Sequence, residues 1–192
     1  MESIVRQHFL DSIAVKQSVL EDEQLIKKID NLAECLADTI RNGGKLVLCG
    51  NGGSASDALH FAGEIVGRFQ LERNPWPAIV LNADVATMTA IANDYGYDDV
   101  FARQAEGHLK QGDLLIGIST SGNSENVLRA IKIAQKIGTK TGALLGKDGG
   151  RIAALVDFPI VVAYQNTAKV QESHITIIHS ICEMVEKELS HE

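Results

Sequence analysis

Cysteines are few in this sequence, and long apolar runs are absent. The 192 residues include three cysteines without a CxxC spacing, which indicates reduced thiols in a cytoplasmic protein rather than a disulfide framework. No apolar stretch approaches the roughly 18 residues that would suggest a membrane-spanning helix. Charges interrupt the N-terminal segment MESIVRQHFLDSIAVKQ every few positions, so we expect neither a signal peptide nor a membrane span there.

The sequence also lacks an excess of positive charge. Its formal net charge is -7 at pH 7, whereas nucleic acids and anionic membranes bind basic faces that displace counterions. We therefore expect no nucleic-acid partner and no membrane partner. A small phosphorylated ligand is compatible with this charge, because a few backbone N–H groups and hydroxyls can hold one phosphate.

The apolar residues that are present predict a parallel sheet. They make up 45% of the chain, which is enough for a core, and we interpret residues 1–192 as a single domain. Helical patterns alternate with short apolar runs, as in a doubly wound α/β fold. One such helix covers 125–138 and ends at Gly138, a typical C-cap residue. The runs are mostly continuous, as in strands buried on both faces, and lie at 45–50, 78–82, 114–120, 141–146 and 158–163.

Amphipathic helical segments are predicted at both ends of the chain. The N-terminal segment, within residues 1–43, has an apolar stripe made by Leu25, Ile29, Leu32, Leu36 and Ile40. The C-terminal segment, residues 170–189, has a stripe made by Ile178, Ile181, Cys182 and Val185. Such stripes beside an already covered sheet often pack against another subunit. Packing on the chain's own domain is the alternative, and the pattern fits both.

Two loops that follow predicted strands are candidate anion sites. In CGNGGSAS, residues 49–56, glycines lie between a strand and a helix, where the backbone can approach an anion. The loop is not GxGxxG and no GK[ST] follows, so a nucleotide loop is not indicated, and a plain turn explains it equally well. In STSGNSENV, residues 119–127, four hydroxyls surround Gly122 directly before a helix. Ser124 could simply cap that helix, but one cap does not need the other three hydroxyls, so we favour an anion site.

The helix after the glycine-rich loop carries a polar arc. At about 100° per residue, one face presents Asp57, His60, Glu64 and Arg68. A histidine and a glutamate at i and i+4 can bind one metal ion through a ring nitrogen and a carboxylate oxygen. The alternative is a solvated face with an ion pair between Glu64 and Arg68.

Polar side chains also interrupt the apolar pattern of the last helix, at Gln171, His174 and His179. A lone histidine in such a pattern is more often a hydrogen-bonded core or interface residue than a ligand. Two histidines beside Gln171 and Glu172 favour a functional site modestly.

Taken together and in this order, the motifs closely resemble those of the phosphoheptose isomerases, a branch of the sugar isomerase (SIS) domain family. The motifs are CGNGGSASDALHFAGE, GRF (67–69), IANDYGYDDVFARQ (91–104), GDLLIGISTSGNSENV, GKDGG (146–150) and VQESHITIIH. The resemblance implies a flavodoxin-like three-layer α/β/α sandwich with a five-stranded parallel sheet. It also implies a homotetramer with active sites between subunits. The implied reaction converts D-sedoheptulose 7-phosphate to D-glycero-D-manno-heptose 7-phosphate, the first step towards lipopolysaccharide heptose.

The resemblance also implies residue roles. The terminal phosphate is assigned to Ser119, Thr120, Ser121 and Ser124. The rest of the substrate is assigned to Asn51, Gly52, Gly53, Ser54, Glu64, Asn93, Asp94 and Gln171. One zinc ion per subunit is assigned to His60, Glu64, Gln171 and His179, with Glu64 and His179 as the catalytic acid–base pair. Of these ligand assignments, Gln171 is the least secure. It precedes His179 by about 12 Å of regular helix, so both side chains would have to stretch to reach one ion. A late start of the helix, or a ligand from another subunit, would remove this difficulty.

The assigned acid–base pair suits the chemistry. Exchanging a ketose for an aldose needs a base near carbon, an acid near oxygen and stabilisation of an enediol-like charge. The sequence departs from the family at Lys169, where an arginine is usual, and at Leu145, where a small hydroxyl residue is usual. An acidic residue frequent just before the last motif is also not evident in QNTAKVQE. These departures bear on the sugar contacts more than on the reaction class.

Two other functions compete with the enzyme. A DnaA-binding paralogue with this fold acts as a non-catalytic scaffold, but it has lost the acid–base residues at the positions of Glu64 and His179. A regulatory sugar-phosphate sensor is the second alternative. Such modules usually accompany a DNA-binding or synthase domain, for which we expect no room in 192 residues.

Overall fold

The five apolar runs form one parallel sheet in the computed structural model, which describes residues 3–190. The strand order is β2-β1-β3-β4-β5, and every neighbouring pair is parallel. The strands are β1 (Leu46–Gly50), β2 (Ala78–Val80), β3 (Leu114–Ser119), β4 (Lys140–Gly146) and β5 (Phe158–Val162). Each lies within one or two residues of a predicted run, because continuous apolar stretches fit strands that are covered on both faces.

Eight α-helices accompany the sheet within residues 3–190. They are α1 (Ile4–Glu21), α2 (Glu23–Arg41), α3 (Gly53–Val66), α4 (Val85–Tyr95), α5 (Val100–His108), α6 (Glu125–Ile137), α7 (Gly150–Ala153) and α8 (Thr167–Leu189). A 3-10 turn, Tyr97–Asp99, separates α4 from α5. The predicted C-cap of α6 is confirmed, because Gly138 has φ 82° and accepts the left-handed conformation that glycine adopts readily.

Two apolar layers cover the sheet. On one face, α2, α3 and α8 pack on strand residues such as Leu48 and Ile116. On the other face, α5, α6 and α7 pack on the alternate strand residues, such as Val47 and Leu115, because successive side chains of a strand point to opposite faces. The predicted three-layer α/β/α sandwich is therefore confirmed.

The two terminal helical segments differ in how they pack. In α2 the predicted stripe is buried except for Ile40, which is partly buried, and Leu32 and Leu36 are fully inaccessible to solvent. The stripe of α8 is likewise buried. Helix α1 contacts the rest of the chain mainly through Val15 and leaves most of its apolar residues exposed. Within the described residues, no helix combines the length and the hydropathy that a membrane span requires.

The strand order reverses at one point along the carboxyl edge of the sheet. The chain runs from β1 to β2 on one side and then crosses to β3 on the other side of β1. The loops after β1 and β3 therefore diverge at a topological switch point, the position where open α/β sheets bind ligands. These are the glycine-rich loop and the serine-rich loop that the sequence singled out.

Candidate active site

The glycine-rich loop, residues 50–53, enters α3 at this switch point. Gly52 has φ 57° and stands at the N-cap, where its lack of a side chain leaves the backbone open. The side chain of Asn51 is fixed, because it exchanges two hydrogen bonds with Asn126, at 2.9 and 3.0 Å. The hydroxyl of Tyr97 also donates to Asn51 Oδ1, at 2.9 Å. The side-chain amide of Asn51 is therefore held in one orientation.

Sequence reasoning missed Asn126 and Tyr97 as part of this site. Asn126 lies in the first turn of α6 and is buried, so a polar residue at a core-facing position was the signal that could have identified it. Tyr97 is exposed and lies in the 3-10 turn. Its contact with Asn51 joins residues 46 positions apart, and no local pattern encodes it.

The serine loop, residues 119–124, follows β3. Ser124 occupies the N-cap position of α6, yet its side chain does not cap the helix. Its hydroxyl instead lies 2.8 Å from that of Ser119, and Ser121 Oγ lies 3.4 Å from the same atom. Hydroxyls gathered at the N-terminus of a 13-residue helix favour anion binding. The simple N-cap interpretation does not fit this arrangement.

The segment that begins with the motif GKDGG packs against the serine loop. Gly122 has φ 64°, and a Cβ added there would lie 2.0 Å from the carbonyl oxygen of Gly149. Ile152 N donates to Gly122 O at 3.0 Å, and Arg151 N donates to Asn123 Oδ1 at 3.1 Å. The two loops are in backbone contact, so glycine is required at Gly122 on both conformational and steric grounds.

Three potential metal ligands meet on α3 and α8. His60 Nε2 lies 2.9 Å from His179 Nε2 and 3.2 Å from Glu64 Oε1. One donor atom from each of the three residues lies within 4.8 Å of the others. We call this group the His–Glu–His cluster. The i, i+4 spacing on α3 predicted half of it, while His179 joins from a helix more than one hundred residues later.

The geometry of the cluster suits a small divalent cation. Two ligands at 2.0–2.1 Å from a tetrahedral zinc ion lie about 3.3–3.4 Å apart. The separations at His60 are close to this value. Imidazole nitrogens and a carboxylate oxygen are also donors that zinc accepts. The chain therefore has a possible His/Glu metal site at this position.

Gln171 lies away from that cluster within one chain. A Cβ added to Gly53 would lie 2.4 Å from Gln171 Nε2, which places the amide beside the glycine-rich loop. Gly53 precedes His60 by seven residues of helix, or about 10 Å. Helices α3 and α8 thus run parallel, with Gln171 beside Gly53 and His179 beside His60. The amide of Gln171 thus lies beside the loop assigned to the substrate, and a substrate-binding role fits this position directly.

The polar arc on α3 is shorter than predicted, because the helix ends before Arg68. The helix stops at Val66 with Gly67 as C-cap, so Arg68 lies outside it. Arg68 approaches Glu72 at 3.7 Å on the surface. The alternative of an ion pair between Glu64 and Arg68 is therefore wrong, because the chain turns away before the i+4 position is reached.

Asp57 is the remaining polar residue of that arc. Its Oδ2 atom is buried without a hydrogen-bond partner among the described residues. Burial raises the pKa of this carboxyl to about 6, although the nearby His60 acts in the opposite direction. Asp57 lies between the glycine-rich loop and the His–Glu–His cluster along α3, which brings a further titratable group to the same face.

Three further residues assigned to the substrate lie in two separate places. Asn93 and Asp94 lie in the last turn of α4, are exposed, and are linked by a 2.8 Å hydrogen bond. The adjoining 3-10 turn brings this segment towards the glycine-rich loop through Tyr97. Ser54 is buried in the first turn of α3. Their assignment to the substrate stays a prediction.

His174 is a core residue. It is fully buried and donates from Nε2 to the carbonyl oxygen of Leu145, at 2.9 Å. Burial lowers the pKa of His174 to about 4, and the bond to Leu145 offsets only part of that effect. The core alternative considered for the α8 histidines is thus correct for His174, while His179 belongs to the His–Glu–His cluster.

Lys169 is buried beside a groove between α1 and α8. Its ammonium lies 3.0 Å from His8 Nδ1 and 2.9 Å from Glu172 Oε1. The groove has a volume of about 600 Å³ and reaches His179. The lysine at this departure from the family pattern therefore lines a groove that also contains one residue of the cluster, His179.

Comparisons with known proteins agree with the fold and the motifs. The SIS domain family model matches residues 8–146. The phosphoheptose isomerase of Aliarcobacter butzleri is 47% identical over 189 residues, covering 95% of this chain and 100% of that protein. Two solved structures of phosphoheptose isomerases superpose closely. The one from Neisseria gonorrhoeae has a TM-score of 0.90 and 41% identity, covering 95% of this chain and 97% of that chain.

The second structure, from Francisella tularensis, has a TM-score of 0.91 and 36% identity, covering 95% of this chain and 96% of that chain. Both the family model and the relatives match most of the sequence, with the glycine-rich and serine-rich loops inside the matched region. The chain belongs to the phosphoheptose isomerases, a family of SIS-domain enzymes.

Proposed function

We propose that this chain interconverts D-sedoheptulose 7-phosphate and D-glycero-D-manno-heptose 7-phosphate. The observation that carries the proposal is the meeting of Glu64 and His179 in one cluster, close to loops that suit a sugar phosphate. A paired base and acid are what aldose–ketose isomerisation requires. The non-catalytic scaffold alternative lacks both residues, so their proximity favours an enzyme.

The proton chemistry can be divided between the two side chains. Glu64 takes a proton from C1 of the ketose and returns it to C2, while the hydroxyl proton on O1 is lost and O2 gains one. Glu64 Oε1 faces His60, which leaves the second carboxylate oxygen to accept the carbon-bound proton. His179 can serve as the acid and base for the oxygens. The two residues come from different helices, and their ligand atoms lie within 4.8 Å of one another, so both can face the same two carbons of the substrate.

We further propose that the His–Glu–His cluster holds one zinc ion per subunit. When bound, such an ion polarises the sugar oxygens and stabilises negative charge that develops on them. Three protein ligands with an open fourth position are typical of catalytic zinc sites. Gln171 is then either a substrate contact or a ligand supplied by another subunit.

The loops at the switch point support the binding of the rest of the substrate. The serine loop provides hydroxyls and the N-terminus of α6 for the phosphate, with Ser119, Thr120, Ser121 and Ser124 as the binding residues. We assign the sugar hydroxyls to Asn51, Gly52, Gly53, Ser54, Asn93, Asp94 and Gln171. The fixed amide of Asn51 is suited to this role, because a pre-oriented group loses little entropy on binding.

We also propose that the protein is a cytoplasmic homotetramer with active sites between subunits. Each chain forms a single SIS domain over 1–192, and the reaction is the first step of lipopolysaccharide heptose synthesis. The three cysteines are free thiols, which suits a reducing compartment. Helix α1 exposes a set of large apolar side chains, which suits burial against another copy. Its members are Ile4, Val5, Phe9, Leu10, Ile13 and Leu20. Light scattering coupled to size-exclusion chromatography would measure the subunit number.

The function is tested by incubating the protein with sedoheptulose 7-phosphate and following aldose formation. The variant Glu64→Gln should lose activity by about 10²–10⁴-fold, as expected for removal of a general base. Glu106→Gln, at an exposed site on α5 in the opposite layer, is the matched control and should retain wild-type turnover. Absence of wild-type turnover across C6 and C7 ketose phosphates would refute the isomerase, and full activity of Glu64→Gln would reject Glu64 as the base.

The zinc assignment needs its own measurement. Purified protein should contain about one zinc per chain, and His60→Ala should lose the metal while keeping its fold, because His60 is exposed at the surface of α3. A metal-free preparation with full activity would contradict the assignment.

A further inference from the structure

A buried carboxylate on α8 organises the segment that follows α3. Glu186 is 1% exposed, and its carboxylate accepts hydrogen bonds from the backbone N–H groups of Phe69, Gln70 and Leu71, at 2.7, 2.7 and 2.9 Å. Burial alone would raise the pKa of Glu186. These donors and the Arg73 guanidinium outweigh that effect and hold the pKa below its ordinary value. Glu186 is therefore a fixed, ionised anchor.

Arg73 connects that anchor to the end of α3. Its Nε donates to Glu186 at 3.0 Å, while its terminal nitrogens donate to the backbone oxygens of Glu64, at 2.7 Å, and Ile65, at 3.0 Å. The last carbonyl groups of a helix have no partner within the helix, and Arg73 satisfies two of them. One of these two carbonyl groups belongs to Glu64 itself.

The same anchor reaches His179 by a second route. Phe69, whose N–H binds Glu186, places its ring 5.6 Å from the His179 ring, centroid to centroid, with an angle of 30° between the planes. Glu186 follows His179 by seven residues on α8, or two helical turns, so the two side chains project from nearly the same side of that helix. Glu186 is thus connected to both residues of the acid–base pair, to Glu64 through Arg73 and the Glu64 backbone oxygen, and to His179 through Phe69.

We propose that Glu186 and Arg73 are positioning residues for the reaction, and that this buried pair sets the geometry between Glu64 and His179. The inference rests on the proposed isomerase function. Glu64 and His179 lie on separate helices, so their separation is defined only as well as α3 is held to α8. The Glu186–Arg73 pair is a charged, hydrogen-bonded connection between the end of α3 and the matching turn of α8.

If the Glu186–Arg73 pair only stabilised the fold, its loss would have different effects from the loss of a pair that positions the acid–base residues. A structural tie changes how much protein is folded, and it leaves kcat per folded molecule unaltered. A positioning tie changes kcat in molecules that remain folded, because a misplacement of about 1 Å at a reacting group can cost on the order of 10²-fold. KM should change little, since neither Glu186 nor Arg73 belongs to the serine loop that we assign to the phosphate.

The chain contains an optical reporter for this pair. Arg73 lies over the Trp76 ring, with its guanidinium carbon 3.6 Å from the ring centroid, and Trp76 is the single tryptophan of the sequence. The variant Arg73→Lys keeps the charge, but a single ammonium cannot replace a planar fork that spans Glu186 and two carbonyls. Tryptophan emission of the folded variant therefore shows directly whether the contact is lost.

The experiment compares Arg73→Lys with wild type and with Glu188→Gln. Glu188 lies two residues after Glu186 on α8, and the control variant breaks its exposed 3.0 Å ion pair with Arg41. Circular dichroism and urea unfolding establish the folded fraction under assay conditions. In Arg73→Lys we expect altered Trp76 emission, a kcat about 10–100-fold lower per folded molecule, KM within about threefold, and zinc affinity weaker by about tenfold. Glu188→Gln should match wild type in all four measurements.

Phe69→Leu tests the second route and replaces Arg73→Lys if that variant does not fold. It keeps the backbone N–H to Glu186 and leaves Trp76 emission as in wild type, and we expect lower kcat and weaker zinc affinity. The proposal would be overturned if a folded Arg73→Lys protein with altered emission kept the kcat and zinc affinity of wild type. The same result in Phe69→Leu would also overturn it. If wild type itself shows no turnover, the proposed function fails, and the zinc affinities of the variants still decide whether this pair positions the cluster.

Discussion

Acidification should destabilise this protein through His174. The imidazole is fully buried between α8 and the end of β4, where Nε2 donates to Leu145 O. Its other nitrogen, Nδ1, is buried without a partner among the described residues. Protonation would place a charge on this nitrogen where neither water nor an acceptor can stabilise it.

The magnitude follows from the lowered pKa. The pKa of His174 falls from an ordinary value of 6.5 to about 4, mainly because of burial. Between these two values the unfolded chain binds a proton that the folded chain does not, so the free energy of unfolding decreases as the pH falls through this window. At roughly 1.4 kcal/mol per pH unit, the loss reaches about 2 kcal/mol at pH 5 and about 3 kcal/mol below pH 4. The contribution is complete above pH 6.5.

Urea unfolding at pH 7.5 and pH 5.0 measures the effect. The variant His174→Gln keeps a donor for Leu145 O but cannot titrate, so it should lose about 2 kcal/mol less than wild type between the two pH values. Comparison of the two proteins cancels contributions from other groups, and His108→Gln, at an exposed position, controls for the loss of one imidazole. Equal pH dependence of wild type and His174→Gln would refute the reasoning.

Two further predictions concern the serine loop. Gly122→Ala should cost about 2–4 kcal/mol of unfolding free energy, because it adds a left-handed strain and a contact with Gly149 O. Gly107→Ala, which meets no atom within 4 Å, should be neutral or stabilising by up to about 1 kcal/mol, and similar losses for both would contradict the steric argument. Ser124→Ala should raise KM by about 10–100-fold with little change in kcat, since one charge-assisted hydrogen bond to phosphate is worth about 1.5–3 kcal/mol. Its stability should change by less than about 1 kcal/mol because no cap bond is lost, and an unchanged KM would remove Ser124 from the phosphate site.

The predicted elements match the structure where the pattern depends on neighbours in sequence. The run 114–120 became β3 and the helical pattern over 125–138 became α6, with Gly138 in the expected left-handed conformation. The error occurred where a helix ended. Arg68 was placed on the arc of α3, but Gly67 closes the helix first, and periodicity alone does not show where a helix stops.

The site was predictable in its parts and not in its assembly. The spacing of His60 and Glu64 predicts two of the three residues of the His–Glu–His cluster, and the sequence places a hydroxyl-rich loop directly before a helix. Ser124 shows the limit of such reasoning. Its position is that of an N-cap, yet its side chain faces Ser119, the last residue of β3.

The sequence by itself determined the α/β class, the parallel strands and the identity of the chemical groups, because buried strands and amphipathic helices leave local periodic patterns. Only the tertiary structure decided which of those groups meet. His179 comes within 2.9 Å of His60, and Glu186 of α8 binds Arg73 in the segment that follows α3. Both meetings depend on the parallel packing of α3 against α8. Packing between distant segments is a property of the whole core, and no short stretch of sequence encodes it.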